Sequence, residues 1–205
     1  MSVKRTTIYF EKPGKENTEE TLKIALEAAK ERGVDTVLVS STTGWTALEA
    51  LRVFDDSGLK LVVVTHQTGY RGPGAQMMPE GTREKLMEAG VIVHTGTDVL
   101  TGSVDVGVSR QRPEKTDPLE VRLPYIVPPV STIVANTLRM FSQGVKVCAE
   151  IAMMAADAGL IAVDKPVISV AGSHSGADTV MVVTPSTSNR IRDMKFHEIL
   201  AKPLL

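Results

Sequence analysis

The sequence predicts one α/β domain in which a mainly parallel β-sheet is covered by helices on both faces. Three observations lead there. Short apolar runs bounded by turn residues alternate with segments whose apolar residues recur at helical spacing. The strand-like runs are apolar throughout rather than at every second residue, the pattern of strands buried on both faces. A chain of 205 residues can also form a single core burying roughly 70% of the surface exposed when unfolded, with no staple needed.

Thr6 to Phe10, rich in β-branched and aromatic residues, reads as the first strand, and Glu11-Lys-Pro-Gly-Lys-Glu-Asn-Thr after it is turn chemistry. Asn17, with Glu20 three residues on, has the form of a helix start. Leu22, Ile24, Ala25, Leu26, Ala28 and Ala29 give the next helix an apolar face, and Gly33 stops it. Thr36 to Ser40 is a buried strand, Thr46 to Phe54 a helix and Leu59 to Thr65 the next buried strand. Pro79 to Ala89 is a helix closed by Gly90, followed by a strand from Val91 to His94.

Asp98 to Pro129 breaks this rhythm. Pro113, Pro118, Pro124, Pro128 and Pro129 deny it a long helix or central strand, so it is expected to be a long crossing loop or lid. It would lean on the body of the domain or on the neighbouring subunit of a homo-oligomer; an edge strand at Leu119 to Ile126 is the alternative. A long helical region, Ser131 to Gly159, is expected to break near Gly144. Pro166 to Ala171 and Thr179 to Thr184 read as the last two strands, and the short connection between them fits a tight return that leaves the last strand antiparallel.

Lys and Arg (23) nearly balance Asp and Glu (24), which argues against nucleic acid or an anionic membrane as the main partner. The amino terminus lacks an apolar signal core, and no run approaches the ~20 consecutive apolar residues of a membrane span. Cys148 is the only cysteine and lies in the apolar run Val145 to Met154, so it is expected to pack in the core with Met153 and Met154. The expectation is a soluble cytoplasmic protein.

In an open α/β sheet, ligands sit beyond the carboxyl ends of the strands. The residues there share a character: Lys12 and Lys15 around Pro-Gly, Ser40 to Thr46, His66 to Arg71 with Gly69 and Tyr70, Thr95 to Asp98 with Gly96 and Thr97, and Gly172-Ser173-His174-Ser175-Gly176. Ser41, Thr42, Thr43, Gly44 and Thr46 stand between a buried strand and a helix start, where free N–H groups and the positive helix end favour an anion such as phosphate. Thr43 or Thr46 can equally serve as a helix cap, Thr46 pairing with Glu49 in a capping box. The two glycines of the Gly172 loop likewise suit either a turn or a ligand.

His66, His94, His174 and His197 do not show metal-ligand spacing, and no metal site is expected. Candidate proton-transfer groups are His66, His174 and Asp178. Trp45 and Tyr70 can cover a ligand ring or pack against the protein. Neither a Walker loop, a Gly-x-Gly-x-x-Gly fingerprint nor a nucleophile elbow is present.

Thr36-Val-Leu-Val-Ser-Ser-Thr-Thr-Gly-Trp-Thr-Ala resembles the strand and phosphate-binding turn of the pyruvate kinase carboxy-terminal domain. Lys165-Pro-Val-Ile-Ser-Val-Ala-Gly-Ser-His-Ser-Gly-Ala-Asp resembles its final hairpin. In the kinase these loops hold an allosteric sugar phosphate. The chain is more closely similar to stand-alone archaeal and bacterial proteins of that fold, marked by Phe10-Glu-Lys-Pro-Gly-Lys-Glu-Asn-Thr, Ser41-Thr-Thr-Gly and Met154-Ala-Ala-Asp-Ala-Gly-Leu. The resemblance implies a three-layer α/β/α sandwich with the Ser41 loop beside the Gly172 loop. It also implies flavin mononucleotide (FMN) as ligand and no pyruvate kinase activity, since the kinase's catalytic barrel has no counterpart. The functions to be separated are a binding protein for FMN or another phosphate-bearing small molecule, a flavin-dependent oxidoreductase or an enzyme acting on a phosphorylated metabolite, and a purely structural subunit.

Overall fold

The computed structural model describes residues 2–109 and 128–204. Seven strands form one mixed sheet in the order β1-β7-β6-β5-β2-β3-β4. They are β1 (Ile8–Phe10), β2 (Thr36–Ser40), β3 (Lys60–His66), β4 (Ile92–Gly96), β5 (Val167–Ala171), β6 (Thr179–Thr184) and β7 (Lys195–Pro203). The helices are α1 (Thr18–Arg32), α2 (Trp45–Val53), α3 (Glu80–Glu88), α4 (Val104–Ser109), α5 (Val130–Arg139) and α6 (Gln143–Asp157).

Because successive strand residues point to opposite faces, the sheet divides its apolar residues between two cores. Val37, Val39, Val63, Ile168, Val170, Val180 and Val182 meet Leu22, Ala25 and Ala29 of α1, Ala47 and Ala50 of α2 and Leu86 of α3. Leu38, Val62, Val64, Val167, Met181 and Val183 meet Val145, Cys148, Ile151, Ala152 and Ala155 of α6. Helices therefore cover both faces, which is why β2, β3 and β5 lack alternation. The expected core placement of Cys148, Met153 and Met154 holds, since none is more than 3% exposed. Burial pushes the Cys148 thiol up, and its Sγ donates to the Ser169 carbonyl at 3.3 Å.

Several sequence expectations are corrected. Thr179 to Thr184 is not the last strand: β7 follows, antiparallel to β6 and parallel to β1. Its half-exposed, charge-bearing segment and two register shifts against β6 hide the period-2 pattern. The antiparallel strand is thus the sixth of seven, and β4 runs on through Gly96 rather than ending at His94.

The long helical region breaks, as expected, close to Gly144, at Met140 to Ser142. Ser142 caps α6 by accepting from the Val145 N–H at 3.0 Å. Gly144 lies inside the first turn, where a side chain would collide with Thr179 Oγ1. The expected helix start holds, with Asn17 directly before α1; its side chain makes no cap bond, its amide donating to the Lys12 carbonyl at 2.8 Å, and a 3₁₀ turn, Lys15–Asn17, leads into the helix. The supposed loop from Asp98 to Pro129 contains α4, whereas residues 110–127, with the alternative strand at Leu119 to Ile126, lie outside the described residues.

Candidate functional site

Between β2 and β5 the strand order reverses, since the chain leaves β2 for β3 and β4 and returns to β5 on the other side. Val37, Leu38 and Val39 pair with Ile168, Ser169 and Val170, so the segments following these two strands lie side by side. This switch point is where the two strand-end loops leave a crevice. A cleft of about 560 Å³ opens there.

Its first wall is the turn from Ser41 to Thr46. Ser41 is tied down, its N–H donating to the Val64 carbonyl at 3.0 Å and its Oγ accepting from the Ala47 N–H at 3.2 Å. The Thr65 hydroxyl donates to the Thr42 carbonyl at 3.3 Å. Gly44 begins α2 at φ 90°, with no side-chain cap. The capping alternative for Thr43 and Thr46 is therefore excluded; Ser41, upstream of both, supplies the oxygen. Among the described residues, no acceptor faces the backbone N–H groups of Thr42, Thr43, Gly44, Trp45 and Thr46.

The Gly172 to Gly176 loop forms the facing wall. The chain folds back so closely that a side chain on Gly172 would overlap the Gly176 carbonyl, and one on Gly176 would strike Thr18 and Lys15. Asp178, read from sequence as a proton-transfer candidate, is fully buried and does not line the cleft. Its Oδ2 accepts from the Ser173 N–H at 3.1 Å and its Oδ1 from the Thr179 hydroxyl at 2.8 Å. It shapes the loop. The Thr18 hydroxyl accepts from the Ala177 N–H at 3.0 Å, docking the loop on α1. Lys15 bridges the two walls: its backbone abuts Gly176 while its ammonium lies 3.7 Å over the Trp45 ring.

The third wall comes from β3 and the segment after β4. His66 Nδ1 lies 2.6 Å from Asp98 Oδ2, and Tyr70 stacks on the His66 ring at 4.1 Å and 4°. Trp45 and Tyr70 thus both contact protein groups while lining the cleft. A fourth wall from α5 and α6 carries Arg139, Gln143, Lys146 and Glu150 above Val147, Ile151 and Met154. Lys146 and Glu150 form a buried ion pair; Lys146 also donates to the Thr101 hydroxyl at 3.1 Å, and Glu150 accepts from the Leu100 N–H at 2.9 Å.

Of the residues singled out by sequence, Lys15, Ser41, Thr42, Thr43, Thr46, His66, Tyr70 and the loop Gly172, Ser173, His174, Ser175 and Gly176 line this one cleft. Lys12, Gly44, Gly69, Gly96 and Thr97 do not. Gly44 packs against α3, where a side chain would press on Thr82. Gly69 belongs to a turn in which its N–H donates to the Ala75 carbonyl at 2.8 Å. The strand-end segments also bring Arg71 and Asp98 to the cleft, whereas sequence reasoning missed Arg139, Gln143, Lys146 and Glu150. The Lys146/Glu150 spacing of four residues within an apolar helical run was the available signal, because a charge pair at i and i+4 on an otherwise buried helix needs a polar surface to face.

No protein-family model matches the chain. Among the described residues, no helix is long and apolar enough to cross a membrane.

Proposed function

We propose that the chain binds a phosphate-bearing small molecule with its phosphate on the Ser41 to Thr46 turn, and that FMN is this molecule. The observation carrying the proposal is the row of N–H groups from Thr42 to Thr46, which have no acceptor among the described residues at the open start of α2. Such groups, with the helix dipole behind them, favour an anion. A charge-assisted hydrogen bond contributes roughly 1.5–3 kcal/mol, so a few of them anchor a phosphate. Lys15 adds a cation between this turn and the Gly172 loop.

The residues present fit FMN. A cleft of about 560 Å³ lies within the size range of small-molecule sites. Beyond the turn, Tyr70, Met77, Val147 and Met154 offer aromatic and apolar surface to a ring system. The pyruvate kinase carboxy-terminal-domain-like sandwich implied by the sequence would place a phosphate on these same two loops, which supports the reading. When bound, FMN supplies hydride or single-electron transfer; the chain's own residues hold its phosphate and surround its ring.

Native mass spectrometry of the purified protein, with its denatured extract, would identify a co-purifying ligand. Calorimetry with ligand-stripped protein would then compare FMN with riboflavin, which lacks the phosphate. FMN is expected to bind at least about 100-fold more tightly, the equivalent of one or two charge-assisted hydrogen bonds. Equal affinities would overturn the phosphate assignment.

A further inference from the structure

Holding a phosphate on the Ser41 turn leaves two groups of the cleft without a role: the His66–Asp98 pair and Lys146. Asp98 is 4% exposed, and its backbone carbonyl accepts from the Thr101 N–H at 3.2 Å and the Gly102 N–H at 2.7 Å, while its own N–H donates to the Gln67 side chain at 3.2 Å. A carboxylate so fixed, 2.6 Å from His66 Nδ1, orients the ring and, in a neutral imidazole, favours the tautomer with its proton on Nδ1. In that tautomer Nε2 carries the lone pair, and it has no partner among the described residues. Tyr70 covers one ring face, and His66 lines the cleft.

The same short segment reaches the other group. Thr101 bonds Lys146, and Leu100 and Thr101 both donate to Glu150 Oε1. Lys146 has three N–H donors, of which Glu150 and Thr101 occupy two. The third has no acceptor among the described residues, on a side chain that is 4% exposed and lines the cleft. A buried ammonium with an unused donor is a place for a ligand oxygen. Thr65, adjacent to His66, is bonded to Thr42 of the phosphate turn, so anchor and base lie on neighbouring strand ends.

We propose that the cleft is a proton-transfer site for a phosphorylated carbonyl compound, with His66 as general base, Asp98 as its positioning residue and Lys146 facing the carbonyl oxygen. The inference rests on the phosphate reading but not on the flavin, which would compete for the same turn. His66 Nε2 takes a proton from the carbon next to the carbonyl. The C–H electron pair becomes the C=C bond of an enolate, whose oxygen takes up the negative charge opposite the Lys146 ammonium. Return of the proton restores the carbonyl, and no co-reactant is consumed. A base placed in this way contributes typically 10²–10⁴-fold.

The test uses dihydroxyacetone phosphate with ligand-stripped, full-length protein, following loss of carbon-bound hydrogen by proton NMR in D₂O and, in a separate sample in H₂O, binding by amide shifts of Thr43 to Thr46. Wild type is expected to catalyse exchange, whereas unphosphorylated dihydroxyacetone is not exchanged. His66→Gln should lose at least about 100-fold, and Asp98→Asn, nearly isosteric, on the order of 10- to 100-fold in rate at unchanged probe affinity. Thermal melts establish that both variants fold. Binding at the turn without exchange would overturn proton transfer while leaving the phosphate reading intact. Neither binding nor exchange would remove both, and exchange undiminished in folded His66→Gln would overturn the assignment of the base.

Discussion

At the end of the sheet where α1, α3 and α6 stop, each helix closes on itself. Gly33, Gly90 and Gly159 take left-handed conformations, and the N–H of the residue after each reaches back: Val34 to Ala29, Val91 to Leu86 and Leu160 to Ala155, at 2.9, 3.0 and 3.0 Å. The Lys60 ammonium occupies the Leu160 carbonyl at 2.7 Å. A depression of about 320 Å³ lies there, lined by Lys60, Lys165 and Pro166 among others. At the opposite end, α2 starts at Gly44 with no side-chain cap from that residue, and Thr42, Thr43, Trp45 and Thr46 line a cleft. Both ends are concave and both carry lysines, so shape and charge do not separate them. What separates them is whether backbone polar groups are already satisfied, because only unmet donors gain from an incoming anion.

The largest test of this contrast is Gly44→Ala, which strains φ 90° and presses on Thr82. A loss of about 3 kcal/mol is expected in denaturant unfolding, partly recovered by Thr82→Ser. An unchanged midpoint would mean that the α2–α3 packing is loose. Next, Thr43→Asp puts a carboxylate at an exposed position of the open end. FMN affinity should fall about 100-fold at unchanged stability, which calorimetry reads directly.

Gly159→Ala acts at the closed end, where there is room for a methyl but φ is 66°. It should cost about 1 kcal/mol, a Tm drop of about 2–4 °C, and leave ligand binding untouched. A changed affinity would break the separation of the two ends.

The smallest effect is at Glu198 on β7, which accepts two 2.8 Å bonds from Arg32 at the end of α1. The Arg32 hydrogen bond holds its carboxyl below the ordinary value of 4.5. The sign follows: the pair contributes above the unfolded-state value and is lost as pH falls through the lower folded value. Glu198→Gln should therefore lower Tm at neutral pH by an amount corresponding to at most about 1 kcal/mol and match wild type at strongly acid pH. A difference that persists there would point to packing instead.

The elements most legible in the sequence were those buried on both faces. Thr36 to Ser40 and Thr179 to Thr184 match strand for strand, because continuous apolar runs leave one reading. β7 escaped because it is exposed along half its length and bulged against β6. At the site, local chemistry was legible where one loop carried it, as in Ser41 to Thr46. The wall carrying Arg139, Lys146 and Glu150 was not, since α5 and α6 reach the strand-end loops only through tertiary packing.

The most direct measurement is an amide NMR titration of ¹⁵N-labelled, ligand-stripped protein with inorganic phosphate and then FMN. The account predicts downfield shifts of the Thr43, Gly44, Trp45 and Thr46 amide protons with both, shifts in the Gly172 to Gly176 loop, and none at Gly33, Gly90 or Gly159. Shifts confined to the closed end, or to α6 without the Ser41 turn, would contradict it.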